Sequence, residues 1–147
     1  MTETTTDEGK LTLRKSAKLR HRTLVQDLFT HGKSVYSGPL RATFRPLTGE
    51  ELAGSFKEGV PDLIAPVQLM ITVPKKKRRH AVDRVLMRRR IREAFRLLHR
   101  PLRRYVETSE GIRTLSIAVV YMHTDNCKMD EISSAMSSIL NKIMKKI

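Results

Sequence analysis

The chain has 147 residues and a formal net charge of +14 at pH 7, with 29 Lys and Arg against 15 Asp and Glu. A hydrophobic fraction of 39% suffices for one core and argues against disorder along the whole chain. No apolar run approaches the roughly 18 residues of a membrane span, and the single cysteine, Cys127, excludes an internal disulfide, so we expect a cytoplasmic protein. A charge of this size indicates a polyanionic partner, most often nucleic acid or an anionic membrane.

Residues 1–12 are Thr-rich and acidic, which predicts a disordered tail followed by a single domain over residues 13–147. An amphipathic helix is expected next, with Thr23 as its N-cap and Gly32 as its C-terminal stop. Its apolar stripe consists of Leu24, Val25, Leu28 and Phe29. Core packing is the alternative to any binding role for the stripe residues Val25 and Phe29.

Three strands, one of them short, are predicted before the chain becomes strongly basic. Leu40, Ala42 and Phe44 alternate with Arg41, Thr43 and Arg45, which indicates a strand with one packed face and one cationic face. Residues 48–66 are rich in Gly, Pro and acidic residues and predict a long hairpin loop with a short strand near residues 52–56. Residues 67–73 form a short apolar run that indicates a central strand.

Residues 75–104 contain 14 Lys and Arg but only two acidic residues, Asp83 and Glu93. Residues 82–100 are expected to be helical, with a kink or restart forced by Pro101. The apolar positions share one helix face and are Met87, Ile91, Ala94, Leu98 and Leu102. The arginines of the opposite face are Arg89, Arg92, Arg96, Arg100 and Arg103. Such a helix is anchored on one side and presents cations on the other.

The last two predicted elements are a strand and a helix. Residues 114–122 form a nearly continuous apolar run, which predicts a strand covered on both faces. Residues 129–147 form a closing helix whose buried stripe is Ile132, Met136, Ile139, Leu140 and Ile143. The order of elements predicts an α+β fold in which helices pack on a small sheet.

Binding rather than catalysis is what the side chains favour. The carboxylates are dispersed, the five histidines show no metal-ligand spacing, and no Gly-rich phosphate loop is present. A cationic helix neutralises phosphates, and the few aromatic residues offer surfaces for base stacking. We therefore expect a nucleic-acid-binding protein without catalytic residues of its own.

The motif AVDRVLMRRRIREAFR, at residues 81–96, resembles the signature of the bacterial ribonuclease P protein component. The positions that match in register are Arg84 and the run from Met87 to Phe95. Val85 and Leu86 stand where the family usually has Asn and Arg. The segments LRHRTLVQDLFTHGKSV and ITVPKKKRRHAV also resemble the family's first helix and the strand that leads into the motif. The resemblance covers roughly residues 13–143, with residues 48–66 as an addition.

This resemblance implies an α-β-β-β-α-β-α sandwich with a small mixed sheet and a left-handed βαβ crossover through the basic helix. It also implies that the chain binds the catalytic RNA of ribonuclease P and the 5′ leader of precursor tRNA, with one protein chain per RNA and no membrane partner. The RNA would remove the leader endonucleolytically with magnesium that it holds itself, and the protein would supply no catalytic residue and no metal site.

The resemblance also implies roles for individual residues. The expected RNA-binding residues are Lys75, Lys76, Lys77, Arg84, Arg88, Arg89, Arg90, Arg92 and Arg96. The expected lining of a leader cleft is Val25, Phe29, Leu40 and Phe44, with Lys75 and Lys76 at its edge.

Three other functions are alternatives. A ribosomal or other structural RNA-binding protein without a tRNA substrate would share the charge, and only the motif register and the element order favour ribonuclease P. A membrane-surface protein would need an exposed apolar helix face, and a self-sufficient nuclease would cleave without added RNA.

Overall fold

The computed structural model describes residues 17–56, 58–60 and 64–147. The strands of this part of the chain are β1 (Lys33–Ser37), β2 (Leu40–Leu47), β3 (Val67–Thr72) and β4 (Thr114–Tyr121). Its helices are α1 (Arg22–His31), α2 (Gly49–Gly54), α3 (Ala81–Leu98), α4 (Arg100–Thr108) and α5 (Met129–Lys146). The predicted tail, residues 1–12, lies outside the described residues, so its disorder stays a prediction.

The four strands form one mixed sheet in the order β1-β2-β4-β3. β1 and β2 make an antiparallel hairpin whose turn contains Gly38 at φ +52°, a left-handed conformation that glycine adopts without strain. β4 pairs antiparallel with β2 and parallel with β3. All eight residues of β4 are buried, which confirms the strand covered on both faces.

Helices cover both faces of this sheet, and the predicted α+β fold is confirmed. On one face, Phe44 and Ile117 belong to the main core, which α3, α4 and α5 complete. On the other face, α1 contributes Leu24 and Leu28 to a smaller core that also contains Ala118. Strand alternation explains the two cores, because successive side chains of β2 and β4 point to opposite faces.

The basic segment folds as α3 and α4, which meet at His99. Pro101 lies in the first turn of α4, where its missing N–H costs no helical hydrogen bond, so the predicted restart near Arg100 is confirmed. α3 and α4 connect two parallel neighbouring strands and therefore form a βαβ crossover. The left hand of this crossover remains an expectation from the family resemblance.

The strand predicted at residues 52–56 is wrong, because α2 occupies most of that segment. Thr48 and Glu51 form a capping box: Glu51 N donates to Thr48 Oγ1 at 3.1 Å, and Thr48 N donates to Glu51 Oε1 at 3.1 Å. Leu52 is buried in the smaller core with Leu24 and Leu28. Residues 49–54 are thus helical and pack against the α1 side of the sheet.

The ends of the remaining helices differ little from the prediction. α1 begins at Arg22 with His21 as N-cap, so the prediction of Thr23 as N-cap is wrong, whereas Gly32 ends the helix as predicted. In α5 the whole predicted stripe, from Ile132 to Ile143, is buried. None of the helices in the described ranges is long and apolar enough to cross a bilayer.

Candidate nucleic-acid interface

The solvent-facing side of α3 carries three arginines, Arg88, Arg89 and Arg92, that have no partner within the described residues. Arg89 and Arg92 are exposed and Arg88 is half-buried. The opposite side of the same helix is fixed in the main core by Met87 and Ile91, each 0% exposed. The backbone is thereby held while three guanidinium groups stay available to an anion, and each can donate to phosphate oxygens in a planar fork.

Arg84 and Arg90 belong to the same predicted set, but both donate hydrogen bonds inside the protein. Arg84 donates to the carbonyl oxygens of Arg78 at 3.1 Å and Arg79 at 2.8 Å, which fixes the turn that precedes α3. Arg90 donates to the carbonyl oxygen of Cys127, 37 residues further along the chain. These two side chains therefore position neighbouring backbone segments, and RNA contact by them stays a prediction.

A second connection joins α3 to the β4–α5 loop, residues 122–128. Arg78 donates to the carbonyl oxygen of Thr124 and forms an ion pair with Asp83 at 3.1 Å. Asn126 donates to the other oxygen of Asp83, also at 3.1 Å. The hydrogen bond from Asn126, supported by the charge of Arg78, lowers the pKa of Asp83. Asp83 is therefore ionised at neutral pH and connects the loop to the first turn of α3.

Arg96 forms an ion pair with Glu93 on the exposed side of α3, with Arg96 Nε at 3.2 Å from Glu93 Oε2. The hydrogen bond from Arg96 lowers the pKa of Glu93. An RNA phosphate that contacts Arg96 would have to compete with this carboxylate. On electrostatic grounds we therefore expect RNA contact by Arg96 to be weaker than RNA contact by Arg92.

The three lysines before α3 lie in a turn that Pro74 initiates. The backbone N–H groups of Lys77 and Arg78 both donate to the carbonyl oxygen of Pro74 at 3.0 Å. Lys75 and Lys76 are exposed, whereas Lys77 is half-buried. The turn extends the cationic surface of α3 toward the end of β3.

Val85 and Leu86 occupy the two positions at which the motif departs from the family pattern. Val85 is 42% exposed, and Leu86 packs partly against the main core. Neither side chain donates or accepts a hydrogen bond. These two positions therefore offer no polar side-chain group to an RNA.

The predicted lining of the leader cleft does not come together, and the prediction for Leu40 and Phe44 is wrong. Both side chains are 1% exposed and lie in the main core, on the sheet face opposite α1. Val25 packs partly in the smaller core on the α1 side, and Phe29 is 52% exposed. The physical reason is the two-residue period of β2, which separates Leu40 and Phe44 from any surface shared with α1.

A row of side chains on the α1-side face of the sheet was not predicted from the sequence. Tyr36 pairs with Arg41, Arg41 with Val120, and Val120 with Thr72, so that one residue of each strand lies in the row. Tyr36 is 59% exposed, and Arg41 Nε is buried without a hydrogen-bond partner in the described part. The alternation of β2 had assigned Arg41 to the cationic face, but only the strand order shows that Tyr36 lies beside it.

Two carboxylates near the α1 side of the sheet, Asp27 and Glu51, are occupied by ion pairs with Arg45. Arg45 contacts Asp27 at 3.0 Å and Glu51 at 2.8 Å, and the Thr48 backbone N–H together with Arg45 lowers the pKa of Glu51. Across the described residues, no group of three His, Cys, Asp or Glu side chains is arranged to hold a metal ion.

The fold and this surface define a class: an α+β protein in which a cationic crossover helix flanks a mixed four-stranded sheet. A profile of the ribonuclease P family matches residues 13–144. A search of curated protein sequences finds no match.

Two solved structures of the Staphylococcus aureus RNase P protein share this fold. The first, at 2.0 Å resolution, is 20% identical, covers 88% of this chain and 96% of its own, and has a TM-score of 0.58. The second, a mutant with defective mRNA degradation activity, is 20% identical, covers 99% of this chain and 98% of its own, and has a TM-score of 0.60.

The chain therefore belongs to the ribonuclease P protein family, as its motif predicted. Membership places the chain in the ribonuclease P ribonucleoprotein and in tRNA processing, and it implies association with the RNA of that particle.

Proposed function

We propose that this chain is the protein subunit that binds the catalytic RNA of ribonuclease P and the 5′ leader of precursor tRNA. In this role it assists the magnesium-dependent endonucleolytic removal of the leader, which yields the mature 5′ end of tRNA. The observation that carries the proposal is the set of unpartnered guanidinium groups of Arg88, Arg89 and Arg92, on a helix that also carries the family motif.

The contact with the catalytic RNA is assigned to α3 and to the turn of Lys75 and Lys76. Phosphate neutralisation by these side chains would release counterions, so the affinity should fall steeply as salt is added. The net charge of +14 supports the same reading, because the RNA would offset the self-repulsion of the protein.

The leader is assigned to the α1-side face of the sheet, with Tyr36 and Arg41 in place of Leu40 and Phe44. An unpaired strand binds where aromatic rings stack on bases and cations contact the backbone, and this face offers Tyr36, Arg41 and the exposed ring of Phe29. Val25, which packs partly in the smaller core on the α1 side, would contribute apolar surface. Lys75 and Lys76 stay at the predicted edge of the leader path.

The chemistry is assigned to the RNA, which would hold the magnesium ions. Asp27, Glu51 and Asp83 each contact an arginine, an arrangement that suits ion pairing better than a shared metal site. In this scheme the protein binds and orients both RNA partners, and one protein chain acts with each catalytic RNA in the cytoplasm.

Leader cleavage of a precursor tRNA at low magnesium tests this function. The reaction would contain the cognate catalytic RNA alone, the protein alone, or both. Cleavage that requires both is the expected result. Cleavage by the protein alone would overturn the assignment of the chemistry to RNA. No stimulation, combined with salt-sensitive binding to other structured RNA, would favour a structural RNA-binding protein.

A further inference from the structure

The two edges of the sheet are covered in different ways. β3 forms one edge, and residues 17–19 run parallel to it, with Leu19 N donating to the Leu69 carbonyl oxygen at 2.9 Å. β1 forms the other edge, and no strand of the described part pairs with its outer side. An open edge offers unpaired backbone N–H and C=O groups to any other strand and is a common route to unwanted association.

The backbone groups that point outward from β1 belong to Ser34 and Tyr36. In an antiparallel pair, the residues of a strand alternately bond to the partner strand and point away from it. The carbonyl group of Tyr36 points away from β2, because its oxygen accepts a hydrogen bond from Lys142 Nζ at 2.6 Å. By the same alternation, the N–H and C=O groups of Ser34 also point outward. Both residues are exposed, so another strand can approach them.

Lys142 reaches this edge from α5, which packs against β1 on the main-core face of the sheet. The helix comes close to the β1–β2 turn, since a Cβ at Gly38 would lie 3.4 Å from Cβ of Ala135. Lys142 lies about two helical turns further along α5, and its side chain is exposed. Its ammonium group therefore covers a backbone acceptor of the open edge, 106 residues away in the sequence, and places a positive charge there.

We propose that Lys142 closes the β1 edge against pairing with β1 of a second copy of this chain. The edge is self-complementary: in an antiparallel pairing about a twofold axis at Val35, Ser34 N–H of each copy would donate to the Tyr36 carbonyl oxygen of the other. Lys142 occupies that acceptor, and pairing would bury its ammonium group in the new interface, which is costly for an unpaired charge. Lysine at an edge strand is one of the ways in which natural sheets avoid such pairing. The inference concerns the protein without RNA and does not depend on the proposed function.

Sedimentation equilibrium of the full chain without RNA tests the inference. In about 0.5 M salt, the net charge of +14 is screened and does not by itself keep two copies apart. Lys142→Ala should lower the dimer dissociation constant about tenfold relative to the wild type, because it frees an acceptor in each copy and removes the buried charge. Lys145→Ala, at another exposed position of α5, removes the same charge and should behave like the wild type, as should Lys142→Arg, which keeps a donor. Equal dissociation constants for Lys142→Ala and the wild type would overturn the inference.

A second substitution locates the contact between the copies. Ser34→Pro, made in the Lys142→Ala chain, removes the outward N–H of Ser34, and proline is tolerated at an edge strand where the N–H faces solvent. The double variant should return to the monomer while its circular dichroism stays that of the wild type. Dimers that persist in the folded double variant would place the contact elsewhere and contradict the inference.

Amide hydrogen exchange gives a readout that needs no second substitution. The N–H groups of Ser34 and Tyr36 should exchange rapidly in the wild type and become protected in the Lys142→Ala dimer, because each would then donate across the new strand pair. Unchanged exchange at both positions in the dimer would show that the copies do not pair through β1.

Discussion

At the scale of single residues, the cations of the basic helix have two different roles. Arg89 is exposed and unpartnered in the described part, whereas its neighbour Arg90 is half-buried and donates to the carbonyl oxygen of Cys127. The sequence presents both as members of one run, Arg88 to Arg90. The difference could not be predicted because the partner of Arg90 is 37 residues away and depends on how α5 packs against α3.

Alanine substitutions of these two neighbours should therefore have different effects. Arg89→Ala should weaken RNA binding about three- to tenfold and lower the salt slope of binding by about 1, with no change in thermal stability. Arg90→Ala should leave a carbonyl group without its donor and lower the free energy of unfolding by about 1 to 2 kcal/mol. Thermal unfolding and salt-dependent binding of both variants measure the difference. An equal loss of stability in the two variants would contradict the assigned roles.

Gly32 is a second residue whose role depends on tertiary structure. A Cβ at this position would lie 2.9 Å from Cγ2 of Thr43 and closer still to the carbonyl oxygen of Leu28. The prediction of Gly32 as a helix stop from sequence was correct, but its close approach to β2 appears only in the fold.

Gly32→Ala should consequently destabilise the protein, by about 1 to 3 kcal/mol, because the backbone of α1 or β2 must shift. Gly54→Ala is the matched control, since a Cβ there meets nothing within 4 Å. Denaturant unfolding of both variants provides the comparison. Equal stability of Gly32→Ala and the wild type would show that α1 can move away from the sheet without cost.

At the scale of elements, patterns that a single element carries were predictable. The continuous apolar run of β4, the buried stripe of α5 and the break at Pro101 all follow from local sequence and are confirmed. The helix at residues 49–54 was not predicted, because the Gly and Pro content of this part of the sequence concealed the capping box of Thr48 and Glu51. The prediction of Leu40 and Phe44 in the leader cleft was wrong for a different reason. The face of β2 that stays accessible depends on where α1 and α5 pack.

The junction of α3 and α4 predicts a dependence of stability on pH. His99 is 6% exposed, stacks on Phe95 at 4.8 Å, and its Nδ1 donates to the Phe95 carbonyl oxygen at 2.9 Å. Burial lowers the pKa of His99 below 6.5, although the two backbone hydrogen bonds oppose this effect. In the unfolded chain the imidazole gains its proton near pH 6.5, so the unfolded state binds more protons below that pH.

The free energy of unfolding should therefore fall as the pH is lowered from 7 toward 5, and His99 should contribute to this fall. His99→Gln removes the titrating group and should show a weaker pH dependence over the same window, even if its stability at pH 7 is lower. Urea unfolding at half-unit pH intervals measures this. Identical pH profiles for the variant and the wild type would show that His99 is readily protonated in the folded state.

At the scale of the whole molecule, the sheet separates two surfaces. On the sheet face opposite α1, the helix α3 presents Arg88, Arg89 and Arg92 to solvent. On the α1 side of the sheet, the row of Tyr36 and Arg41 remains accessible. A protein built in this way can bind two RNA segments at once, as the proposed function requires. The net charge and the family motif predicted an RNA partner, but the arrangement of the two surfaces required the strand order.

In the proposed function, RNA binds to the unpartnered arginines of α3. The most direct test is the salt dependence of equilibrium binding between the full chain and the catalytic RNA, for the wild type and for the triple variant Arg88→Ala, Arg89→Ala and Arg92→Ala. We predict that the triple variant keeps its fold, as judged by circular dichroism, and that the slope of log affinity against log salt falls by about 2 to 3. An unchanged slope and affinity in the folded triple variant would show that RNA does not bind through these arginines.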